Sequence, residues 1–249
     1  MGRIFEKEYE VHYYEVNYRL ESTITSIINY FSDIGTKQSE ELGVGIEYML
    51  SKGLTWVFYK YNIKVNKAPK YGEILKVKTR PAGFKKFYAL RKYEIFNRQG
   101  EKLVEGEAVF LLIDINKRRA VRIPEDQYIA YDVKLDENCE IDISKLETIT
   151  KDTYSKYFYT RYSDIDSNMH VNNVKYVEWA IETIPLEVAT NYNIKELTVV
   201  FQKECKYGVK IKSSCEIKEK SDEQLTVLHK IENEDGTQLT SLISKWKKR

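Results

Sequence analysis

Ile63-Lys64-Val65-Asn66-Lys67-Ala68-Pro69-Lys70-Tyr71-Gly72 and Val199-Val200-Phe201-Gln202-Lys203-Glu204-Cys205-Lys206-Tyr207-Gly208 carry the reading of this chain. Each brings a strand pattern into a Lys-Tyr-Gly turn that opens the next strand, which sets Ile63 against Val199 and Val65 against Phe201. A shared turn at the same step of two apolar strands marks a duplicated unit, and at this length the repeat is a domain and not a solenoid.

The surroundings of the two turns repeat as well. Upstream of the first, Glu8 to Asn17 reads as a strand. Ser22 to Ile34 follows with apolar residues at 24, 27, 28, 31 and 34, the spacing of a helix with one buried face, and Ser22 or Thr23 can cap it. A second short helical piece reaches about Leu50, interrupted by Gly43 and Gly45. Strands are expected over 54–67, 73–80, 85–97 and 102–115, with Asn97-Arg98-Gln99-Gly100 as a turn. The second copy runs from a strand at Tyr154 to Tyr162 into a helix with Val174, Val177, Ile181 and Ile184 on one face. Asn172 or Asn173 caps that helix, and Pro185 marks its exit. Strands over 196–203, 208–219, 223–232 and 237–246 complete it, with Glu234-Asp235-Gly236 as a turn. A strand, a helix and then a run of antiparallel strands make an α+β unit with the helix laid on one face of the sheet. Between the copies the chain turns polar and acidic, with Asp126, Asp132, Asp136, Glu137, Glu140 and Asp142. The expected organisation is therefore a first domain at 1–125, a connector with a short helix at 126–152 and a second domain at 153–249.

Composition narrows the function classes. A formal charge of +2 with 31% charged residues of mixed sign marks neither a nucleic-acid nor a membrane binder. No stretch approaches the ~18 apolar residues of a membrane span, and the start of the chain has no signal-peptide pattern. Cys139, Cys205 and Cys215 lie far apart with no CxxC pair, against a zinc site or a disulfide scaffold and in favour of a reducing cytosol. Twenty tyrosines beside eleven glycines and four prolines favour long strands over loops.

Chemistry concentrates in Arg161-Tyr162-Ser163-Asp164-Ile165-Asp166-Ser167-Asn168-Met169-His170-Val171-Asn172-Asn173-Val174-Lys175-Tyr176. Asp164, Asp166, Asn168 and His170 are spaced by two, so in an extended segment they point the same way. Asp and Asn ahead of a helix also serve as caps and turns, and spacing alone does not separate the two readings. One His and two Asp are a partial donor set for a divalent ion, but there is no HxH or HxxxH pair and His12 and His229 are remote, so neither a metal nor another cofactor is expected. A Ser-His-Asp hydrolase lacks its G-x-S-x-G elbow. Two groups near the second turn stay open as reactive centres: the thiol of Cys205, and the carboxylate of Glu204, which half-buried at a strand end suits a base. The plainer reading of Glu204 is a surface charge between Lys203 and Lys206. In the first copy Ala68 and Pro69 align with Glu204 and Cys205, and Tyr14-Glu15-Val16-Asn17-Tyr18-Arg19-Leu20 matches the Asp-Asn-His run, so the full polar set occurs once.

With these residues in view, the chain resembles the acyl-ACP thioesterases of bacteria and plant plastids. Asp164 to Tyr176 is close to the family pattern D-x-D-x-N-x-H-V-N-N-x-K-Y, and Glu204-Cys205 follow His170 by 34 and 35 residues, the family interval. The resemblance implies two tandem hot-dog domains, each an antiparallel sheet wrapped around a long helix. It implies hydrolysis of fatty acyl-acyl carrier protein to free fatty acid in the cytoplasm, with Asn168, His170 and Glu204 on catalytic positions, Asp166 as the supporting acid, and Cys205 as the weaker candidate beside Glu204. Glu204 then activates water or attacks the thioester, and the N-terminus of the helix from Val174 to Ile184 stabilises the oxyanion. The resemblance also implies that the first copy holds the acyl chain among Ile27, Ile28, Phe31, Trp56 and Phe58, residues that ordinary core packing explains equally well. Acyl carrier protein is acidic, which makes Lys85-Lys86, Arg91-Lys92 and Lys117-Arg118-Arg119 candidate contacts. A non-catalytic acyl-thioester-binding module and an acyl-CoA thioesterase are the alternatives. Chain-length preference is not legible, and a homodimer is compatible with the sequence though two fused copies already supply the pairing of single hot-dog units.

Overall fold

The computed structural model describes residues 2–134, 139–221 and 223–249. Asp136 and Glu137 of the acidic connector lie outside the described residues. The chain divides into two compact units, Met1–Tyr59 with Val65–Ile143, and Lys60–Lys64 with Ser144–Arg249.

In the first unit β1 (Phe5–Glu10) is shorter than the strand expected over Glu8 to Asn17. Tyr13–Glu15 form one 3-10 turn, because Glu15 Oε2 accepts the His12 amide at 2.8 Å and the Tyr30 hydroxyl at 2.7 Å. Local side-chain bonds to the backbone outcompete the sheet there. α1 (Ile24–Glu41) starts where expected, with the Ser26 amide donating to Thr23 Oγ1 at 3.1 Å. It buries Ile24, Ile27, Ile28, Phe31 and Ile34 and continues past Ile34 to Glu41, with Leu42 as its C-cap and Gly43 beyond it at φ +72°. α2 (Ile46–Ser51), β2 (Leu54–Val65), β3 (Ile74–Lys85), β4 (Tyr88–Phe96), β5 (Lys102–Asp114), the two-residue β6 (Arg119–Ala120) and α3 (Glu125–Tyr131) follow. β3 runs further than the strand expected over 73–80, since a register shift between Pro81 and Gly83 accommodates the proline that would otherwise break the ladder. The main strands are ordered β1-β3-β4-β5-β2. Tyr131 and Val133, inside the expected connector, are buried with Phe84, Ala89 and Leu112 in an apolar cluster of this unit.

The second unit repeats the plan with β7 (Tyr154–Tyr159), α4 (Asn173–Thr183), α5 (Leu186–Asn191), β8 (Tyr192–Phe201), β9 (Lys210–Lys220), β10 (Gln224–Asn233) and β11 (Gln238–Lys248). Its order is β7-β9-β10-β11-β8, the same path element for element, and Lys60–Lys64 run antiparallel to β8. Asn172 caps α4 by accepting the Val174 amide at 3.0 Å. Pro185 closes α4 and also opens α5, its carbonyl accepting the Val188 amide.

The repeat extends to single hydrogen bonds. Gly72 and Gly208 have φ of +76° and +80° and donate to Val11 and Thr160. Lys67 and Lys203 donate their amides to Leu103 and Leu239 at 3.2 and 3.1 Å. Positive φ favours glycine at these turns, and the matching bonds make Ala68 and Pro69 of the first unit the counterparts of Glu204 and Cys205 of the second.

Candidate active site

Asp164, Asp166, Asn168 and His170 do not lie on an extended segment. Tyr162–Asp164 form a 3-10 turn, Ile165 and Val171 bridge to each other, and residues between them reverse the chain with Met169 at φ +62°. Asp166 drives the reversal: its Oδ1 accepts the Asn168 amide at 2.8 Å and the His170 amide at 3.5 Å, while its own amide donates to the His170 carbonyl at 2.8 Å. An Asx turn of this kind gives the backbone a local partner in place of a sheet. Spacing of two therefore does not produce a common face.

The turn has a counterpart in the first unit. Asn17 Oδ1 accepts the amides of Arg19 and Glu21 at 2.9 and 3.3 Å, and Leu20 has φ +60°. Arg19 and Glu21, at the places of Asn168 and His170, form an ion pair of 3.3 Å. One scaffold thus carries a salt bridge in one copy and an amide and an imidazole in the other.

Asp164 anchors the second copy's turn from below. It is buried, and its carboxylate takes Arg161 Nε and NH2 at 3.1 and 2.9 Å and the Arg161 amide at 2.8 Å, with Lys175 Nζ at 3.7 Å. Burial alone would raise this carboxyl, but Arg161 first and then Lys175 hold it below the usual carboxylate range. Arg161 and Lys175 were not among the expected site residues. Their signal was opposite charge three residues before Asp164 and in the first turn of α4.

Glu204 comes to this turn from the far end of β8. The Val171 amide donates to the Cys205 carbonyl at 2.9 Å, which ties the chain after β8 to the residue after His170. His170 Nε2 then lies 3.3 Å from Glu204 Oε1, both side chains partly exposed. Cys205 is buried, and burial pushes its thiol up, which disfavours the thiolate a nucleophile needs. Asn168 is exposed on the turn, and its side chain makes no hydrogen bond to another described residue. The structure therefore brings His170 and Glu204 together, joins Asp166 to Asn168 and His170 through backbone amides only, and leaves the Asn168 side chain facing solvent. At the N-terminus of α4, Asn172 already occupies the Val174 amide, so that amide is not a spare oxyanion donor. Among the described residues no group of three or more His, Cys, Asp and Glu is placed to hold a metal ion.

Of the residues expected to hold an acyl chain, Ile27, Ile28 and Phe31 are fully buried in the first unit, with Phe31 stacked on Tyr93 at 4.5 Å. Trp56 and Phe58 are partly exposed, near Phe84 at 6.2 Å and Phe110 at 4.4 Å. Arg91 is not a surface cation as expected: it is buried, donating to Gln38 and to Thr79 Oγ1 at 3.2 Å.

Comparison with known proteins adds to this geometry. Residues 2–131 match the acyl-ACP thioesterase N-terminal domain, and residues 146–248 the acyl-ACP thioesterase C-terminal domain. A chloroplastic palmitoyl-acyl carrier protein thioesterase of Gossypium hirsutum is 23% identical over 266 aligned residues, covering 99% of this chain and 64% of the relative. The chain spans about half to two thirds of the length of the curated relatives it matches. Among solved structures, a Lactobacillus plantarum protein superposes with a TM-score of 0.93 at 24% identity, covering 99% of this chain and 97% of that one. The 12:0-ACP thioesterase of Umbellularia californica superposes with a TM-score of 0.84 at 23% identity, covering 99% and 94%. At these identities the likeness establishes the hot-dog fold.

Proposed function

Since the chain belongs to the acyl-ACP thioesterase family, we propose that it hydrolyses the thioester of fatty acyl-acyl carrier protein, releasing free fatty acid and ending chain elongation. The observation that carries the reading is the pairing of His170 Nε2 with Glu204 Oε1 at 3.3 Å on a partly exposed turn. A carboxylate in hydrogen-bond reach of an imidazole is a base whose orientation is fixed, and general-base assistance contributes about 10²–10⁴ in rate.

In this mechanism Glu204 removes a proton from water as the water oxygen adds to the thioester carbonyl. The tetrahedral intermediate collapses by breaking its C–S bond, and the proton returns to the departing thiol sulfur. Direct attack by Glu204 is the other form of the same assignment, with an anhydride that water then opens. His170 orients the carboxylate, Asn168 has its side-chain amide available to polarise the carbonyl, and Asp166 holds both residues through their backbone. Cys205 has no role, its thiol being buried.

The acyl chain is assigned to the first unit, with Ile27, Ile28, Phe31, Trp56 and Phe58 as its apolar contacts; Trp56 and Phe58 retain exposed surface with which to meet a ligand. Acyl carrier protein as partner and the cytoplasm as location are parts of the same proposal. Among the described residues no helix is long and apolar enough to cross a membrane.

The test is thiol release from acyl carrier protein and CoA thioesters of graded chain length by the unaltered chain. Turnover of acyl-ACP above acyl-CoA supports the proposal. Release from acyl-CoA alone makes the chain a CoA thioesterase, and release from neither removes the enzyme reading in favour of a binding module.

A further inference from the structure

The two units keep the same pair of lysines around the turn that in the second unit bears Glu204, and set different groups about it. Lys67 and Lys70 flank Ala68-Pro69 in the first unit, as Lys203 and Lys206 flank Glu204-Cys205 in the second. In the first unit carboxylates attend this turn: Lys67 Nζ pairs with Glu101 at 3.3 Å, the Lys70 amide donates to Glu73 Oε2 at 2.8 Å, and Glu21 bridges to Lys70 through the backbone. The matching hydrogen bonds of the repeat put Thr237 at the place of Glu101, Val209 at the place of Glu73 and His170 at the place of Glu21. Each of these three carboxylates is replaced by a group without negative charge, and the one carboxylate the second unit adds to the turn, Glu204, is directed at His170. Lys203 and Lys206 are exposed, and neither has an acidic partner among the described residues.

Large apolar side chains are exposed on the same segments. Tyr162 is 89% exposed, Met169 75% and Tyr207 68%. Tyr162 opens the 3-10 turn, Met169 tops the reversal between Asn168 and His170, and Tyr207 follows Lys206, so all three lie on the segments that carry the candidate site. Large apolar side chains exposed beside unpaired cations are the composition of a docking rim, where charge steers the encounter and apolar contact holds it. Packing within the unit leaves these side chains unused.

We propose that Lys203, Lys206, Tyr162, Met169 and Tyr207 form the surface on which the acidic carrier protein docks to present its thioester to Glu204. The inference rests on the acyl-carrier reading above and names the partner's footprint on the second unit. It replaces the three basic clusters considered from sequence, one of which contains the buried Arg91. The occupant is a protein with an acidic face, since two exposed lysines separated by Glu204 and Cys205, with exposed Tyr162, Met169 and Tyr207 on the same segments, suit a broad anionic partner better than a single small anion.

The experiment uses the whole chain with K203E and K206E combined, and the matched first-unit variant with K67E and K70E combined as control. Hydrolysis is read with acyl-ACP and with acyl-pantetheine, which carries the same thioester without protein or phosphate, and binding of holo-acyl carrier protein is read by calorimetric titration. The expected result is a KM for acyl-ACP raised about tenfold or more by the second-unit reversal, the scale of a rim-charge effect. Activity on acyl-pantetheine stays within about twofold, the salt dependence of KM flattens, and the first-unit reversal leaves KM unchanged. An unchanged KM in the second-unit variant overturns the proposal. So does an equal loss on acyl-pantetheine, which would mean damage to the site, or an equal effect from the first-unit reversal, which would mean charge without location. If the unaltered chain releases thiol from no substrate, the hydrolase reading falls, while loss of carrier binding in the second-unit variant alone would still uphold the docking surface.

Discussion

His170 Nε2 and Glu204 Oε1 stand 3.3 Å apart although they are 34 positions apart in the chain, with the whole of α4 and β8 between them. What joins them is the hydrogen bond from the Val171 amide to the Cys205 carbonyl, one residue beyond each. Two side chains that act as one unit lose their effect together. We expect Glu204→Gln to lower kcat by about 10²–10⁴ and His170→Gln to lower it by a comparable factor. The double variant should be little worse than the poorer single one. Thiol-release rates for the four proteins close the cycle. Multiplicative losses would show that the imidazole and the carboxylate act independently.

Asp166 separates charge from geometry. In the first unit Asn17 makes the same two bonds to backbone amides with a neutral side chain. Asp166→Asn should therefore preserve the turn, with thermal stability changed by less than about 0.5 kcal/mol and kcat within a fewfold. Asp166→Ala removes both acceptors and should cost about 1 kcal/mol or more and most of the activity. The pair of variants is compared by melting and by turnover. Should Asp166→Asn fold normally and lose as much activity as Asp166→Ala, the carboxylate charge itself takes part in the reaction.

How much of this was legible in the sequence follows from the range of the forces involved. The element order and its duplication could be read because hydrophobic period and turn residues are local: α1 and α4 begin at the caps that Thr23 and Asn172 offer, and Gly72 and Gly208 occupy the same positive φ. Period also misled, since the spacing of two from Asp164 to His170 assumes an extended chain and Asp166 turns it by bonding to the backbone within four residues. β3 passes Pro81 because a bulge removes the need for its missing amide, and sequence gave no sign of it. The burial of Arg91 depends on Gln38 and Thr79, neither of them near in sequence. The turn carrying His170 meets the end of β8 by tertiary contact, so the pairing with Glu204 was readable only through resemblance to a family.

His229 should make the fold sensitive to mild acid. It is fully enclosed on β10, its Nε2 2.8 Å from Ser244 Oγ, and burial lowers its pKa from 6.5 to about 3. Between those values the unfolded chain binds a proton that the folded chain refuses. Its contribution is therefore whole above pH 6.5 and declines as pH falls towards 3, at a limiting slope of about 1.4 kcal/mol per pH unit. His229→Gln keeps a polar group near Ser244 and cannot titrate. Urea unfolding at pH 7, 6, 5 and 4 should show a steeper loss for the parent than for the variant. Parallel pH profiles would mean that His229 is not responsible.

Gln127 supplies the last case, a polar side chain in an apolar setting. It is fully buried on α3, and neither its Oε1 nor its Nε2 has a hydrogen-bond partner among the described residues. Ile123 and Tyr131, four residues to either side, belong to the cluster that includes Phe84 and Leu112. An unpaired buried amide costs about 1–3 kcal/mol per group, so exchanging it for an apolar side chain of similar length is stabilising. Gln127→Met should raise stability by about 1 kcal/mol, read as a higher urea midpoint at unchanged slope. Gln127→Ala removes the same amide but leaves a cavity, and should lower the midpoint instead. The contrast between Met and Ala carries the argument, because it separates the polar cost from the packing gain. A midpoint lowered by Met as well would mean that the Gln127 amide is bonded in solution and stabilises the fold.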